Sequence, residues 1–446
     1  MNEKSRGFLR ELYDAAVAAA HPDVCLPPHL PEPPQGRLII LAAGKAAGAM
    51  VEAAERHYLD VLGLAPERIE GVGVTRYGYA GPTRVVTMVE AAHPVPDRNG
   101  VAAAVAALEL AASAGEDDLV LVLLSGGGSA LWIAPPIGVS LSDKQELTRL
   151  LLRSGATISE INTVRRSLSR IKGGRLAAAA HPARVLTLAI SDVPHDDPLA
   201  IASGPTVADP GDPAEALRIL NRYAIEPQPA IAAALESAQD RPGPGDPRLA
   251  KAEYRLVAAP NLALEAAARL ARERGWETTS LGADLEGEAR DVGRDHARQA
   301  INLVREGAKP TVLLSGGELT VTIAGGGRGG PNQEFALGLA IALDGQPGVS
   351  ALAADTDGAD GGSGADDDPA GAFVFPDTLE RAREAGLDAA DHLARNDSTT
   401  FFEGLGDLLT CGPTRTNVND FRAVLVDTGG NGDQLAPGGQ QTDAGS

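Results

Sequence analysis

The residues best suited to chemistry are cations and carboxylates placed at the ends of apolar segments. Lys45 follows the apolar run of residues 37–44, and Asp192 lies near the end of another run, residues 184–193. A basic segment, TVRRSLSRIKGGRLA, occupies residues 163–177. Positive groups neutralise phosphate charge, and carboxylates supply the oxygen ligands that Mg²⁺ prefers. This combination predicts an enzyme that handles a nucleotide and a small polar substrate.

Three stretches of the N-terminal half are suited to binding phosphate. A lysine between a strand and a helix start lies beside backbone N–H groups that favour anions, so Lys45 is expected to contact a phosphate or a carboxylate. In SGGGS, residues 125–129, glycines let the backbone approach phosphate oxygens and serines add hydroxyl groups. Residues 158–180 are predicted to form one helix in which Arg165, Ser169 and Lys172 share a face. The predicted phosphate-binding residues are Gly44, Ser125, Gly126, Gly127, Gly128, Ser129, Arg165, Lys172, Gly173 and Gly174.

Polar loops of the C-terminal half are suited to a small hydroxy acid. A glycine-rich loop over residues 325–330 precedes a helix whose first turn carries amide and carboxylate groups, and Arg328 lies within that loop. Three aspartates, Asp355, Asp357 and Asp360, follow an apolar run, where carboxylates either orient hydroxyl groups or form an ordinary polar turn. The predicted substrate-binding residues are Asn332, Gln333, Glu334, Asp355, Asp357, Asn396 and Thr414. Asp192 is the predicted metal ligand.

Composition narrows the class of protein. The formal net charge of −21 argues against nucleic acid and anionic membranes as partners. Two cysteines without CxxC spacing favour neither a disulfide framework nor a zinc site, which fits a reducing cytoplasm. No apolar run approaches the roughly 18 residues of a membrane span, and the first 20 residues do not resemble a signal peptide. We therefore expect a cytoplasmic protein.

The arrangement of elements predicts an α/β fold. Short apolar runs alternate with helical patterns, which is typical of βαβ units and a mostly parallel sheet covered on both faces. With 446 residues, two domains are expected. A segment rich in proline and glycine separates them, so the predicted division is residues 1–235, a linker over 236–250, a second domain over 251–427 and a disordered tail over 428–446. Both halves contain strand–Ser–Gly–Gly, at residues 121–127 and 311–317, which suggests a ligand between the domains.

Taken together, these motifs resemble the class II glycerate 2-kinase family, whose C-terminal portion is called the MOFRL domain. The resemblance extends from about Phe8 to about Val426. It rests on motifs that occur in order: AAGKAAGAM, GVTRYGY, HPVPD, LLSGGGSALW, GATISEINTVRRSLSRIKGGRLA, ISDVPHDDPLAIASGPT, SGGELTVTI, GGPNQEFALGLA, DTDGADG, NDST and GPTRTNVND.

The resemblance implies a fold and an activity. It implies two α/β/α sandwich domains, a larger Rossmann-like N-terminal domain and a MOFRL-type C-terminal domain, with the active site in the cleft. The implied reaction is the ATP- and Mg²⁺-dependent phosphorylation of D-glycerate at its 2-hydroxyl, giving 2-phosphoglycerate. Lys45 matches the lysine regarded as catalytic in relatives. A homodimer is one option for its assembly.

One position departs from the family pattern. Relatives usually carry an arginine where this chain has Pro331, so Arg328 or Arg415 is expected to return a guanidinium to the site. Two other functions stay open: an NAD(P)H-dependent hydroxypyruvate reductase, for which the GxGxxG fingerprint is missing, and a sensor that binds a sugar acid.

Overall fold

The chain folds into two compact units. The computed structural model describes residues 2–212, 214–237, 240–361, 367–427 and 429. The N-terminal unit comprises Ala20–Ala259 and Arg415–Asn417, and the C-terminal unit comprises Met1–Ala19, Pro260–Thr414 and Val418–Ser446. Apart from residue 429, the tail predicted to be disordered lies outside the described residues.

The elements are numbered in chain order. The strands are β1 (Leu38–Ala43), β2 (Ile69–Arg76), β3 (Thr87–Ala91), β4 (Leu119–Leu124), β5 (Arg184–Ile190), β6 (Ala252–Ala258), β7 (Glu277–Ser280), β8 (Thr311–Ser315), β9 (Val349–Asp355), β10 (Gly371–Val374), β11 (Leu408–Leu409) and β12 (Asp420–Val426). The α-helices are α1 (Asn2–Ala20), α2 (Pro22–Cys25), α3 (Ala47–Glu55), α4 (Arg98–Ala112), α5 (Gly128–Leu131), α6 (Leu141–Arg153), α7 (Ile158–Ser167), α8 (Arg175–Ala179), α9 (Glu215–Arg222), α10 (Pro229–Glu236), α11 (Pro260–Glu273), α12 (Ala289–Arg305), α13 (Pro331–Leu343), α14 (Thr378–Glu384), α15 (Ala389–Ala394) and α16 (Ser398–Leu405).

The sheet of the N-terminal unit is parallel throughout. Its strand order is β3-β2-β1-β4-β5-β6. Strands β1 and β4 are buried along their whole length, as expected of central strands covered on both faces. The order reverses between β1 and β4, and ligands of doubly wound sheets bind at the carboxyl ends of the strands beside such a reversal. The predicted α/β class is confirmed.

Small side chains allow this unit to pack closely. Helix α4 contributes Ala103 and Ala107 to the same core as Ile39 and Val122 of the sheet. A separate apolar cluster holds helices α6, α7, α9 and α10 together, with Leu147, Leu151, Val164 and Ile219 among its members. This cluster fixes the positions of α6 and α7, which carry cations discussed below.

The helix predicted over residues 158–180 is wrong. Helix α7 ends at Ser167, and α8 begins only at Arg175. Between them Gly173 and Gly174 take positive φ values of 59° and 78°, which a helix does not accommodate. Arg165, Ser169 and Lys172 therefore do not share a helix face.

The C-terminal unit contains a mixed sheet. The strand order is β11-β10-β9-β12-β8-β7, and only β7 and β8 pair in parallel. The mostly parallel pattern expected for the whole chain does not extend to this sheet, because the last strand, β12, inserts antiparallel between β8 and β9. Helix α13 is buried along most of its length, with Phe335 and Leu339 in the core beside Leu313.

Two elements fall on the other side of the predicted domain boundaries. Strand β6, assigned by the sequence to the second domain, pairs with β5 as the edge of the first sheet. Helix α1, assigned to the first domain, belongs to the C-terminal unit, where Tyr13 Oη donates to the carbonyl oxygen of Asp355 at 2.9 Å. Backbone pairing and burial decide these assignments, and chain order does not reveal them. No helix in the described part of the chain is both long and apolar enough to cross a membrane.

Candidate active site

Loops that follow β1 and β4 are bonded to each other at one edge of the first sheet. The backbone N–H of Lys45 donates to the carbonyl oxygen of Gly126 at 2.8 Å, and that of Ala46 donates to Ser125 Oγ at 2.9 Å. The N–H of Ser125 donates in turn to the carbonyl oxygen of Ala43 at 3.0 Å. The lysine and the glycine turn are thus held together by the backbone, as their positions after neighbouring parallel strands predict.

Glycine is required in this turn for steric reasons. A Cβ atom on Gly44, whose φ is +133°, would lie 2.1 Å from Ser125 Oγ. A Cβ atom on Gly127, whose φ is +81°, would lie 3.0 Å from His93 Nε2 and 3.4 Å from Lys45 Cγ. The side chains of His93 and Lys45 therefore both lie against Gly127.

Asp192 reaches the same turn from the end of β5. A Cβ atom on Gly126 would lie 1.8 Å from Asp192 Oδ2, so the carboxylate occupies the space that glycine leaves. Asn417 Nδ2 donates to that oxygen at 2.9 Å. Within the described residues, the N–H groups of Gly126 and Gly127 have no hydrogen-bond acceptor. A lysine, a half-buried carboxylate and open N–H donors thus surround one turn.

The segment Arg415–Asn417 is part of the N-terminal unit although it comes late in the chain. Arg415 forms a two-pronged ion pair with Glu52 of α3. Thr416 Oγ1 donates to the carbonyl oxygen of Ala20 at 2.7 Å. These contacts hold Asn417 on Asp192, and they engage the Arg415 guanidinium with a protein carboxylate.

A pocket of about 470 Å³ lies beside the glycine turn, and cations line it. Gly127 and Ser129 line it together with Lys144, Arg165 and Lys172, so two of the predicted phosphate-binding cations meet the predicted turn. Lys172 Nζ donates to the carbonyl oxygen of Ser129 at 2.8 Å. Burial, followed by the nearby positive charges of Lys144 and Arg165, holds the pKa of Lys172 well below its ordinary value.

Gly173 and Gly174 do not line this pocket. Their N–H groups donate to the carbonyl oxygens of Ser203 and Gly204, at 3.1 and 2.8 Å. In this structure they close a tight loop between α7 and α8, so their N–H groups are not available to a phosphate.

In the C-terminal unit, Asn332, Gln333 and Glu334 are buried, with at most 2% of each residue exposed. They bond to protein groups: Asn332 Nδ2 donates to Asp420 Oδ1 at 2.7 Å, and Gln333 Nε2 donates to Asp360 Oδ2 at 2.9 Å. Glu334 accepts from Arg290 Nε at 2.7 Å and from Asn396 Nδ2 at 3.0 Å. The sequence predicts that these side chains contact the substrate directly. In this structure they are too buried to do so.

Asp360 connects this buried network to helix α13. Its carboxylate accepts from the backbone N–H groups of Asn332 and Gln333 at 3.0 and 2.9 Å. Burial raises the pKa of Asp360 to about 6, although these hydrogen bonds oppose the shift.

The remaining predicted residues of this unit differ in accessibility. Asn396 is buried and accepts from the N–H groups of Ala324 and Gly325, which makes it part of the loop framework. Asp355 and Thr414 are half-buried, whereas Asp357 is 2% exposed. Arg328 is exposed and pairs with Glu403 at 2.5 Å.

Three residues near the site were not selected from the sequence. His93 lies in the motif HPVPD and Asn417 in GPTRTNVND, and neither is among the predicted site residues. Lys144 falls three and seven positions before Leu147 and Leu151, on the buried stripe of α6. A lysine on an apolar stripe is the signal that would have identified it.

A doubly wound sheet whose reversal point gathers a lysine, a glycine turn and a carboxylate defines an α/β enzyme that handles phosphate. The sequence matches the domain of unknown function DUF4147 over residues 8–236 and the MOFRL family over residues 311–420. It is 40% identical to D-glycerate 2-kinase of Thermotoga maritima, covering 93% of this chain and 97% of that protein. The chain therefore belongs to the glycerate kinase family.

The fold agrees with this assignment. The crystal structure of glycerate kinase from Thermotoga maritima superposes with a TM-score of 0.85 at 40% identity, covering 95% of this chain and 99% of that one. A protein of Agrobacterium vitis named putative hydroxypyruvate reductase is 48% identical over 95% of this chain and 94% of its own length.

Proposed function

We propose that this protein transfers the γ-phosphoryl group of ATP to the 2-hydroxyl of D-glycerate, giving 2-phosphoglycerate and ADP. The observation that carries the proposal is the meeting of Lys45, the Gly126–Gly127 turn and Asp192 at adjacent strand ends. The full-length similarity to D-glycerate 2-kinase of Thermotoga maritima supports it.

Phosphoryl transfer depends mainly on alignment and on neutralising charge. We assign Lys45 to the phosphate oxygens, where its ammonium would stabilise charge as the bond to ADP breaks. The open N–H groups of Gly126 and Gly127 would donate to the same phosphates. Preorganised donors of this kind each contribute a factor of roughly 10²–10³ to the rate.

Mg²⁺ fits the donor set at Asp192. Mg²⁺ in phosphoryl-transfer sites is usually held by one or two carboxylates together with substrate phosphates and water. The described residues include no group of three or more His, Cys, Asp or Glu side chains that could form a protein cage for a metal. Asp192 would hold the ion, and Asn417 keeps one carboxylate oxygen oriented. The ion would supply neutralisation of phosphate charge.

For glycerate we propose the half-buried residues Asp355 and Thr414 as binding residues. Five other polar residues are at most 8% exposed, so we assign them a positioning role instead: Asn332, Gln333, Glu334, Asp357 and Asn396. Arg328 and Arg415 are each paired with a glutamate, so neither is assigned as the second catalytic cation.

The other proposals concern partners and location. The partners are ATP and glycerate, and the net charge of −21 disfavours nucleic acid and anionic membranes. We propose a cytoplasmic location because both cysteines are free thiols. A homodimer remains a proposal that size measurements would test.

Product analysis tests the proposed reaction. Purified protein is incubated with ATP, Mg²⁺ and D-glycerate, and phosphorus NMR distinguishes 2-phosphoglycerate from 3-phosphoglycerate. We expect the 2-isomer, and kcat should fall by about 10²–10³ in Lys45→Ala. Lys251→Ala, which removes an exposed lysine paired with Glu116, is the matched control. NADH oxidation with hydroxypyruvate, in the absence of ATP turnover, would favour the reductase instead.

A further inference from the structure

The pocket beside the glycine turn concentrates positive charge in a chain whose net charge is −21. Lys144 and Lys172 are 6% and 2% exposed, and Arg165 is half-buried. None of the three has a carboxylate within ion-pair distance among the described residues. Neighbouring Arg166, by contrast, lies 3.4 Å from the carboxylate of Asp209.

The residues that line the pocket include no Asp or Glu. Lys144 Nζ donates to the carbonyl oxygen of Leu168 at 2.5 Å, and Lys172 Nζ donates to that of Ser129. Each ammonium has three N–H donors, so these carbonyls do not exhaust them. Buried charges without counter-ions are costly, and the cost is recovered when an anion enters.

The number of charges indicates which anion fits. Glycerate carries one negative charge, whereas a nucleoside triphosphate carries about four on its phosphate chain at neutral pH. Three basic side chains, which an entering polyanion would keep protonated, match the phosphate chain. The volume of the pocket lies within the range of small-ligand sites. The exposed apolar side chains of Val95 and Leu152 also line the pocket. They offer a surface to the nucleoside end of the same molecule.

We infer that this pocket binds the phosphate chain of ATP and that Lys144 is a phosphate-binding residue acting together with Arg165 and Lys172. The inference rests on the proposed function for the identity of the nucleotide. It adds a residue outside the glycine turn and extends the phosphate site from that turn to helices α6 and α7.

Binding is measured on the full chain by calorimetry, without glycerate, using ATP, inorganic tripolyphosphate and adenosine as separate probes. Lys144→Met should lower the affinity for ATP and for tripolyphosphate by about tenfold to a hundredfold, because it removes a hydrogen bond to a charged group. Adenosine binding should be unchanged. Lys251→Met serves as the control, because it removes an exposed lysine elsewhere in the same unit. In turnover, KM for ATP should rise by a similar factor while kcat changes little.

A second variant keeps the inference falsifiable if Lys144→Met folds poorly. Arg165→Gln removes a half-buried cation from the same pocket and should lower the affinity for tripolyphosphate by a comparable factor. Wild-type affinity for ATP in both variants, with normal kinase turnover, would overturn the pocket assignment and leave the proposed function intact. Loss of tripolyphosphate binding in a protein that makes no 2-phosphoglycerate would instead retain the anion pocket and reject the kinase.

Discussion

At the scale of single residues, burial sets the chemistry of the phosphate pocket. The pKa of Lys144 is lowered to about 7, first by burial and then by the positive charges of Arg165 and Arg175. Arg149 of the same helix, Lys172 and His93 also line the pocket. The lining includes no carboxylate, and Arg149 is paired with Glu146, so an anion entering the pocket favours the protonated form of Lys144. Nucleotide binding and proton uptake are therefore linked.

This linkage predicts how nucleotide affinity depends on pH. Below about pH 7 Lys144 is already protonated, and its contribution to the affinity should vary little. Above its folded-state pKa of about 7 a proton must be taken up on binding, so the affinity for ATP should fall by up to tenfold per pH unit. Calorimetry across this range measures the effect. In Lys144→Arg, whose side chain stays charged, the affinity for ATP should depend less on pH. Any dependence that the variant retains reports the ionisation of ATP itself. The same pH dependence in the variant and the wild type would contradict the prediction.

At the scale of elements, a short segment from late in the chain completes the N-terminal site. Arg415–Asn417 is attached to α3 by Arg415 and Glu52, and its asparagine bonds to Asp192. The sequence predicted that Arg328 or Arg415 returns a catalytic guanidinium. The ion pair favours a positioning role instead, in which Arg415 acts through Asn417.

The two roles predict different double-mutant behaviour. If Arg415 positions the segment, Arg415→Ala and Glu52→Gln should each lower kcat/KM by about threefold to tenfold, and the double mutant should be no worse than either single mutant. Steady-state kinetics of the three variants, with Mg²⁺ titrated, provides the measurement. Arg328→Ala, on an exposed loop, is expected to stay near wild type. A fall in kcat/KM of about 10² or more in Arg415→Ala, with wild-type kcat/KM in Glu52→Gln, would restore the catalytic assignment of Arg415.

At the scale of the whole molecule, a locally positive pocket lies in a strongly negative chain. The net charge of −21 repels ATP over long distances, whereas the cations act at contact range. Salt screens these two effects differently, because the Debye length falls from about 30 Å at 0.01 M to about 10 Å at 0.1 M. Long-range repulsion is therefore lost before contact attraction.

We expect kcat/KM for ATP to rise between low and moderate ionic strength and to fall at higher salt. Initial rates at fixed free Mg²⁺, with an inert monovalent salt varied, measure this dependence. Lys144→Met should retain the initial rise, since the net charge hardly changes. A steady fall from the lowest salt concentration would show that local attraction dominates throughout.

Much of the N-terminal fold and part of its site could be predicted from the sequence. Apolar runs and the loops that follow them identify β1, β4 and β5, and parallel strands place Lys45, Ser125 and Asp192 at one edge. The prediction from the sequence failed for one turn and for one domain boundary. The helix predicted through Gly173 and the assignment of β6 to the second domain were wrong, because tight turns and strand pairing depend on partners distant in sequence.

The sequence by itself determined the α/β class, the family and the main chemical groups, because these follow from local periodicity and from motifs whose members are close in the chain. Only the tertiary structure decided which polar groups are available. It buries Asn332 and Gln333 against Asp360, engages Arg415 with Glu52, and leaves Lys144 in a pocket without a carboxylate. Availability depends on burial and on partners tens to hundreds of residues away, and no local pattern encodes either.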